Sequence, residues 1–503
     1  VGLQLLDKRD QMVNQLSEFV DVNVTTESDG SWSLYLGNGQ LLVNGDTYGT
    51  LAVNQKTGDQ TRREISLIFE TPSKSKVDLG HDAWGGKLGG LLAASDEMRQ
   101  AMRELGQNAL AFADAMNTQN KGGITLGDVA GKDLMTIPEV KGTSTNGNFA
   151  MTVSFNPGEG SDIRSDDYFV RFEDNGAGQK EPRVYTVDAS GKETLIPDAS
   201  VQKSQDPQGN LVLKLDGHGI TLKFNANEQN MANADVRFTA QPTINAAFDI
   251  KCNITKPEDF AFASAIRVNG NGHQGNATPS LVGVTQTGTS AQDKEFGIYI
   301  DQTTGKPAFT DGAPNFIQVE KNAQGQLEYV VYHKPANGGQ MTKLGTAPAD
   351  CNGKNIFANT TWNPGKPDGF PHYDVNFTGT VDNGASFDIE INTKGENDNT
   401  NGNLMAALKQ ENLVYGAENI KVSFTEDYAN LTADIGSAVM SATTDLAAAK
   451  AKCEQSQNLF ASTAGVNLDE EAANLIRFQQ SYSACARIIN ASQTIFDALM
   501  SAI

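Results

Sequence analysis

Leu468, Leu475, Tyr482, Ile489, Phe496 and Ile503 recur at every seventh residue, and Phe478, Cys485 and Leu499 take the position three later. No Gly or Pro interrupts the stretch from Leu468 to Ile503. Asn467, with Glu470 three residues on, reads as an N-cap and its capping-box partner, and Asp469, Glu470 and Glu471 suit the positive end of a helix dipole. The spacing therefore predicts one long helix, about 54 Å at 1.5 Å per residue. Its narrow apolar seam calls for a second helix along its whole length. Each large seam residue is worth about 1.5–3 kcal/mol if buried, so a chain carrying this helix must find it a partner. An ordinary amphipathic helix packed on its own domain is the alternative.

The other end of the chain poses the matching question. The sequence opens on Val1, and Leu3, Leu6, Met12, Val13, Leu16, Phe19 and Val20 already follow helical spacing. The expectation is a chain that starts inside a helix, with an upstream segment missing. The basic n-region, apolar core and small-residue cleavage site of a secretory signal do not occur at this start.

Charge and composition narrow the classes. Against 39 Lys and Arg stand 61 Asp and Glu, a net charge of −22, which argues against binding a phosphate backbone. No apolar run approaches the length of a membrane-spanning helix. The 49 glycines, with abundant Asn, Asp and Thr, lean toward a β-rich, turn-rich extracellular or polymer-forming protein. Cys252, Cys351, Cys453 and Cys485 make no metal-ligand spacing. Cys453 and Cys485 fall on apolar helix faces, where a buried free thiol is expected. Cys252 and Cys351 lie in β-rich regions and pair only if the fold brings them together.

In chain order, Gln4 to Val20 reads as helix. Val22–Val24, Trp32–Leu36 and Leu41–Val43 read as strands around the turns Asp29-Gly30 and Asn38-Gly39. A variable stretch follows to about Gly80. A second long helix runs from Leu88 to Thr118 through Leu91, Leu92, Met98, Met102, Leu105, Ala109, Phe112 and Met116, ended by Gly122-Gly123. From about Asn146 to Ala263 the period changes to two, with strands at Tyr168–Phe172, Leu211–Leu215 and Ile220–Phe224. A second β-rich block, Asn269 to Asn392, carries strands at Phe296–Ile300, Phe316–Val319, Leu327–Tyr332, Tyr373–Phe377 and Phe387–Ile391. Helical spacing returns in Leu404–Lys409 and in Tyr428, Leu431, Ile435, Val439, Ala442, Leu446, Ala449 and Cys453, at a period that suits a bundle.

The expected fold class is thus multidomain α+β: an elongated, discontinuous helical-bundle domain built from both chain ends, two inserted β-rich domains and a C-terminal coiled-coil helix. The expected divisions are 1–145 for the first helical and hairpin part, 146–266 and 267–396 for the inserted domains, 397–465 for the second helical part and 466–503 for the terminal helix.

Motifs for chemistry are weak. Gly270-Asn271-Gly272-His273-Gln274-Gly275 matches G-x-G-x-x-G, but Asn276-Ala277-Thr278-Pro279 follows it where a helix N-terminus is needed, so it reads as an interdomain loop. Asn397-x-Asn399-x-Asn401-Gly402 resembles the opening of an EF-hand loop, yet position twelve is Leu408 instead of Glu; it reads as a polar turn capping a helix near Asn403. Gly85 to Gly90 lacks the Lys-Ser/Thr ending of a phosphate loop. His81, His218, His273, His333 and His372 are scattered, and only His81, beside Asp82 and Trp84, has a suggestive setting. The residues make no positive case for catalysis, cofactor binding or a metal site.

Several segments carry a resemblance. Leu5-Leu6-Asp7-Lys8-Arg9-Asp10-Gln11, Gly37-Asn38-Gly39-Gln40-Leu41-Leu42-Val43-Asn44-Gly45, Gly86-Lys87-Leu88-Gly89-Gly90-Leu91-Leu92, Leu105 to Asp114, and Gly465 to Leu475 with Phe496-Asp497-Ala498-Leu499 resemble the flagellar hook-associated protein 1 family of hook–filament junction proteins. The likeness is specific in the helical parts and weak in the β blocks. The block from Asn269 to Asn392 looks larger than in smaller members.

The resemblance implies a structural, non-enzymatic component of the extracellular flagellum, exported without a cleaved signal. It implies a ring of copies of this chain between the hook protein and the next hook-associated junction protein, with an export chaperone on the C-terminal helix before assembly. It excludes nucleic acid and membrane insertion. Leu468, Leu475, Phe478, Tyr482, Cys485, Ile489, Phe496, Leu499 and Ile503 would form the assembly interface. The rival is a secreted adhesin or ligand-binding protein that uses the 267–396 block.

Overall fold

The computed structural model describes residues 2–501 apart from 57–58, 70–74, 81–82, 189–190, 273–274, 394, 396 and 417–418, and gives the backbone alone for 55–56 and 59–61. His81, Asp82, His273, Gln274 and Ile503 lie outside the described residues. Two compact units emerge, Val1–Leu431 and Thr432–Ile503.

The first unit opens with helix α1, Leu3–Phe19. A six-stranded antiparallel meander follows in sequence order: β1 Val22–Thr26, β2 Trp32–Leu36, β3 Leu41–Asn44, β4 Thr47–Lys56, β5 Asp59–Phe69 and β6 Lys76–Leu79. Gly30 and Gly39 sit at φ near +82° and +84°, where the turn signals place them. The stretch read as variable up to Gly80 is thus the larger part of a sheet. Its strands were hidden because Leu51, Val53, Ile65 and Leu67 are mixed with charged and polar residues in a twisted hairpin whose two faces are unequally covered. Leu34, Leu36, Leu42, Ile65, Leu67, Leu79, Val20 and Trp84 form its core.

Helix α2, Gly86–Lys121, is the spine of this unit. It starts where α1 ends, and Gly86 is obligatory there: φ is +60° and a Cβ would lie 2.8 Å from the carbonyl carbon of Phe19. Its second half is buried.

Two β regions follow. In the first, strands Thr143–Ser144, Phe238–Ala240, Asp167–Asp174, Lys180–Val187 and Glu193–Leu195 form one sheet. Val201–Gln205, Leu211–Leu215, Ile220–Phe224, Met151–Phe155 and Val140–Lys141 form the second. The alternating burial of Leu211, Leu213, Leu215 against Ile220, Leu222, Phe224 is the period-two pattern of the sequence made physical. The short helix α3, Glu228–Asn233, closes this core with Met231. Helix α4, Ala246–Asp249, docks against α2 through Ala246, beside Leu110 and Ile163.

The second β region is a six-stranded sheet ordered Ile266–Asn271, Ser386–Ile391, Phe316–Lys321, Leu327–His333, Thr342–Ala347 and Thr361–Trp362, flanked by the pair Thr278–Val284 and Tyr373–Thr378. Phe357, Phe377, Phe387, Tyr329 and Tyr373 fill its core. Gly270 and Asn271 are strand residues paired with Phe387 and Ser386. The first two residues of the glycine-rich motif thus belong to a strand of this region, where the sequence suggested an interdomain loop; His273 and Gln274 lie outside the described residues.

Helix α5, Thr400–Ala407, returns the chain to α2. The polar turn precedes it as expected, with Asn399 at the N-cap making no side-chain cap bond; the neighbouring Asp398 carboxylate accepts from the N–H groups of Thr400 and Ser264 at 2.9 and 3.1 Å and from the Asn392 amide at 2.9 Å. Those protein donors take up the one early carboxylate in the loop. All four cysteines are free; Cys252, Cys453 and Cys485 are exposed and Cys351 half-buried. The expectation of buried thiols at Cys453 and Cys485 fails because nothing in the single chain covers their helix faces.

Two predictions test this packing. A Cβ at Gly106 would lie 1.8 Å from the Thr243 carbonyl oxygen, so Gly106→Ala should push the α4 loop off α2 and lower stability by about 1–3 kcal/mol in denaturant melts. His218, whose Nδ1 is 3.0 Å from the Tyr168 hydroxyl, is pushed down to about 4 by burial and by the nearby Arg164 guanidinium. It is neutral in the fold, so its contribution is full above the ordinary imidazole value and is lost as pH falls toward 4. Melting curves from pH 7 to 4.5 should show a loss of roughly 1–2 kcal/mol, after allowance for its partial exposure, that His218→Gln removes.

Candidate assembly surface

The second unit is made of two helices. Helix α6, Phe424–Ala464, enters it from the first unit with Glu426 and Asp427 in its first turn, favourable charges at the positive end of the dipole. From Ile435 its large and small apolar residues repeat as Ile435, Val439, Ala442, Leu446, Ala449, Cys453 and Phe460, an a/d register sustained over four turns and more. Gly465-Val466-Asn467 separates it from helix α7, Leu468–Ser501. The Asn467 carboxamide oxygen caps α7 as expected, accepting from the Asp469 N–H at 3.0 Å, one residue before Glu470.

The predicted interface residues share one property. Leu468, Leu475, Phe478, Tyr482, Ile489, Phe496 and Leu499 are 59–80% exposed, and the Cys485 thiol is exposed as well. Among the described residues from Thr432 onward, no side chain is buried. A soluble helix of 34 residues normally buries its apolar stripe; here the stripe faces water along its full length. Ile476, Ile488, Ile495 and Met500, equally exposed, were not among the predicted residues. Ile488 and Ile495 each precede a seam residue and widen the seam to three positions per heptad. Counting the position before each seventh residue finds them.

The first unit carries shorter stripes of the same kind. On α1, Leu5, Met12 and Phe19 are exposed at intervals of seven. On α2, Leu91, Met98 and Leu105 are exposed at the same interval, and the next member, Phe112, meets Phe424 edge-on at 5.5 Å. Along these stripes the exposed side chains are apolar, and association with another apolar face is the chemistry they offer.

Known proteins fit this geometry. Residues 3–135 match the flagellar hook-associated protein FlgK helical domain, and residues 457–502 the flagellar basal body rod FlgEFG protein C-terminal family. Flagellar hook-associated protein 1 of Salmonella typhimurium is 24% identical over 504 residues, which cover 99% of this chain and 64% of that protein. The Escherichia coli protein of the same name is 24% identical over 501 residues, 99% of this chain and 63% of its own length. The chain therefore spans a little under two thirds of these relatives. In fold it is similar to the flagellar hook junction protein FlgK from Burkholderia pseudomallei, with a TM-score of 0.62, 22% identity, and coverage of 92% of this chain and 78% of that one.

The class these matches share, at both ends of the chain, is the flagellar protein. Within it, the family to which the chain is similar along nearly its whole length is flagellar hook-associated protein 1, the one the quoted sequence segments resemble.

If the exposed seam is uncovered in the monomer, its backbone amides lack tertiary protection. Hydrogen exchange of the monomeric chain should label α7 within seconds, while the second half of α2 stays protected for at least about a hundredfold longer. Slow exchange throughout α7 in a monomer would show the helix already packed.

Proposed function

We propose that this chain is a structural component of the bacterial flagellum, a junction adaptor that joins hook to filament by polymerising through its terminal helices. The observation that carries the reading is the seam on α7, with a second on α6: among the described residues from Thr432 onward no side chain is buried. The similarity to hook-associated protein 1 across the chain supports it. In this reading Leu468, Leu475, Phe478, Tyr482, Cys485, Ile489, Phe496, Leu499 and Ile503 form the assembly interface, in which each side chain enters a gap on a facing helix. The regions 146–266 and 267–396 are inserted domains on an elongated, discontinuous helical bundle formed by 1–145 and 397–465, and 466–503 is the coiled-coil helix.

Copies of the chain form a ring, one face meeting the hook protein and the other the next hook-associated protein. An export chaperone shields the seam before assembly, because at about 1.5–3 kcal/mol per large residue an open seam otherwise finds the wrong partner. The site of action is outside the cell, and the work is mechanical, not catalytic.

Leu475→Asp and Phe496→Asp each place a charge in the seam, where burying it unpaired costs several kcal/mol. Either variant should fail to incorporate into flagella and leave cells unable to swim, with the near-ultraviolet dichroism of the β regions unchanged. Normal filament growth with either one sinks the reading.

A further inference from the structure

One aromatic side chain in the first unit is almost fully open to water. Phe248 on α4 is 90% exposed, yet the backbone that carries it is firmly held. Its N–H and that of Ile250 donate to Asn245 and Ala246 at 3.0 Å, and Ala246 is buried against α2. A rigidly presented phenylalanine is the form that an interface anchor takes, since little entropy remains to be lost on docking.

The same unit offers a receptor of matching chemistry. Phe260 and Phe262 stack at 5.1 Å and 16° over a cleft of about 380 Å³ walled on its apolar side by Ile124, Leu126 and Pro257 and on the other by Asn397, Asp398 and Asn399. Leu126 and Phe262 stand open at its mouth, 68% and 48% exposed. Charges frame both features at the same two-residue spacing but in opposite order. Asp249 and Lys251 follow Phe248, while Lys256 and Glu258 flank Pro257. All four are exposed, and none is in an ion pair among the described residues.

We propose that Phe248 of one copy seats in the Phe260–Phe262 cleft of a second copy, with Asp249 meeting Lys256 and Lys251 meeting Glu258. Knob and cleft are different surfaces of one chain, so the contact is head-to-tail, the kind that closes into a ring or runs on as a helix. This inference rests on the junction reading for its biological setting and names a contact outside the terminal helices. A buried phenylalanine covers about 150–250 Å², far below the roughly 1,600 Å² of a stable interface. The contact therefore sets the register of neighbouring copies while other surfaces hold them.

Sedimentation velocity of the full chain over a wide concentration range tests it. Phe248→Ala and Phe262→Ala, each with an unchanged far-ultraviolet spectrum, should weaken self-association by about tenfold or more. An equimolar mixture of the two should regain association that neither shows alone, because each mixed pair keeps one intact knob and one intact cleft. Leu126→Ser replaces Phe262→Ala if that variant misfolds. Asp249→Lys should weaken the contact, and adding Lys256→Glu should restore it.

A parent chain that stays monomeric, single variants that associate like the parent, or a mixture as weak as its components would each overturn the proposal. So would variants that self-associate normally but fail to bind hook protein, which would assign Phe248 to that partner. Repeating the series with Leu475→Asp at the highest concentrations, where weak association through the cleft is still detected, reads the Phe248 effect separately from the terminal helix and so from the junction reading.

Discussion

The first unit depends on a helix that buries its polar side chains. In its second half, α2 carries Gln107, Asp114, Asn117, Gln119 and Asn120 with little or no exposure, and almost every one of them holds the backbone of a different chain segment. Gln107 donates to the carbonyls of Ile163 and Tyr415 at 3.0 Å. The Asp114 carboxylate accepts from the N–H groups of Gly158 and Gly160 at 2.9 and 2.8 Å; burial still holds its carboxyl above the usual range, since desolvation outweighs the two donors. Asn117 exchanges two hydrogen bonds with the backbone of Met135. Asn120 donates to the Lys132 carbonyl and accepts from the Ala261 N–H. An amide or carboxylate buried without its partner costs about 1–3 kcal/mol, so each bond specifies where its segment must lie. One turn earlier, Arg103 grips Asp167 through two contacts at 2.6 and 3.0 Å, both side chains nearly buried, and ties the first β region to the same helix.

That arrangement explains how segments of the first unit far apart in sequence meet. Gln119 donates to the Asn401 side-chain oxygen at 2.6 Å, and Asn401 returns bonds to the carbonyls of Gln119 and Ala261. The segment leaving α2 for the second β region and the segment returning from it thus cross at one fully bonded amide joint. Ala111, Leu408, Val414 and Phe424 supply the apolar packing nearby. A β region held this way is oriented by directional bonds on both of its connections, which a flexible linker could not do.

What the sequence made legible follows from periodicity. The strands Leu211–Leu215 and Ile220–Phe224 and the long helices were readable because one face of each is apolar at a fixed interval, and the structure places them within a few residues of the expected bounds. The sheet from Thr47 to Leu79 was not, since its faces are unequally covered and its apolar residues alternate poorly. Nor was the α2 joint. Gln107, Asn117, Gln119 and Asn120 look like solvated helix residues in one dimension, and only the tertiary fold shows that each faces a backbone group. The seam on α7 was legible from its seven-residue spacing alone, and its described residues stand exposed in the structure.

The two kinds of helix in this chain solve different problems. The second half of α2 joins fixed segments that must meet once, at folding, and directional amides suit that task because each admits one partner geometry. The seam of α7 is non-directional and narrow, and it offers hydrophobic area without specifying an orientation. Under the proposed function, such a surface serves a partner that arrives later, with the register set by other contacts. Burying amides on α7 would commit the helix to its own chain, and leaving apolar stripes on α2 as the sole cement would let the β regions slip. The division between a polar-pinned body and an apolar terminal seam therefore follows from when each contact has to form.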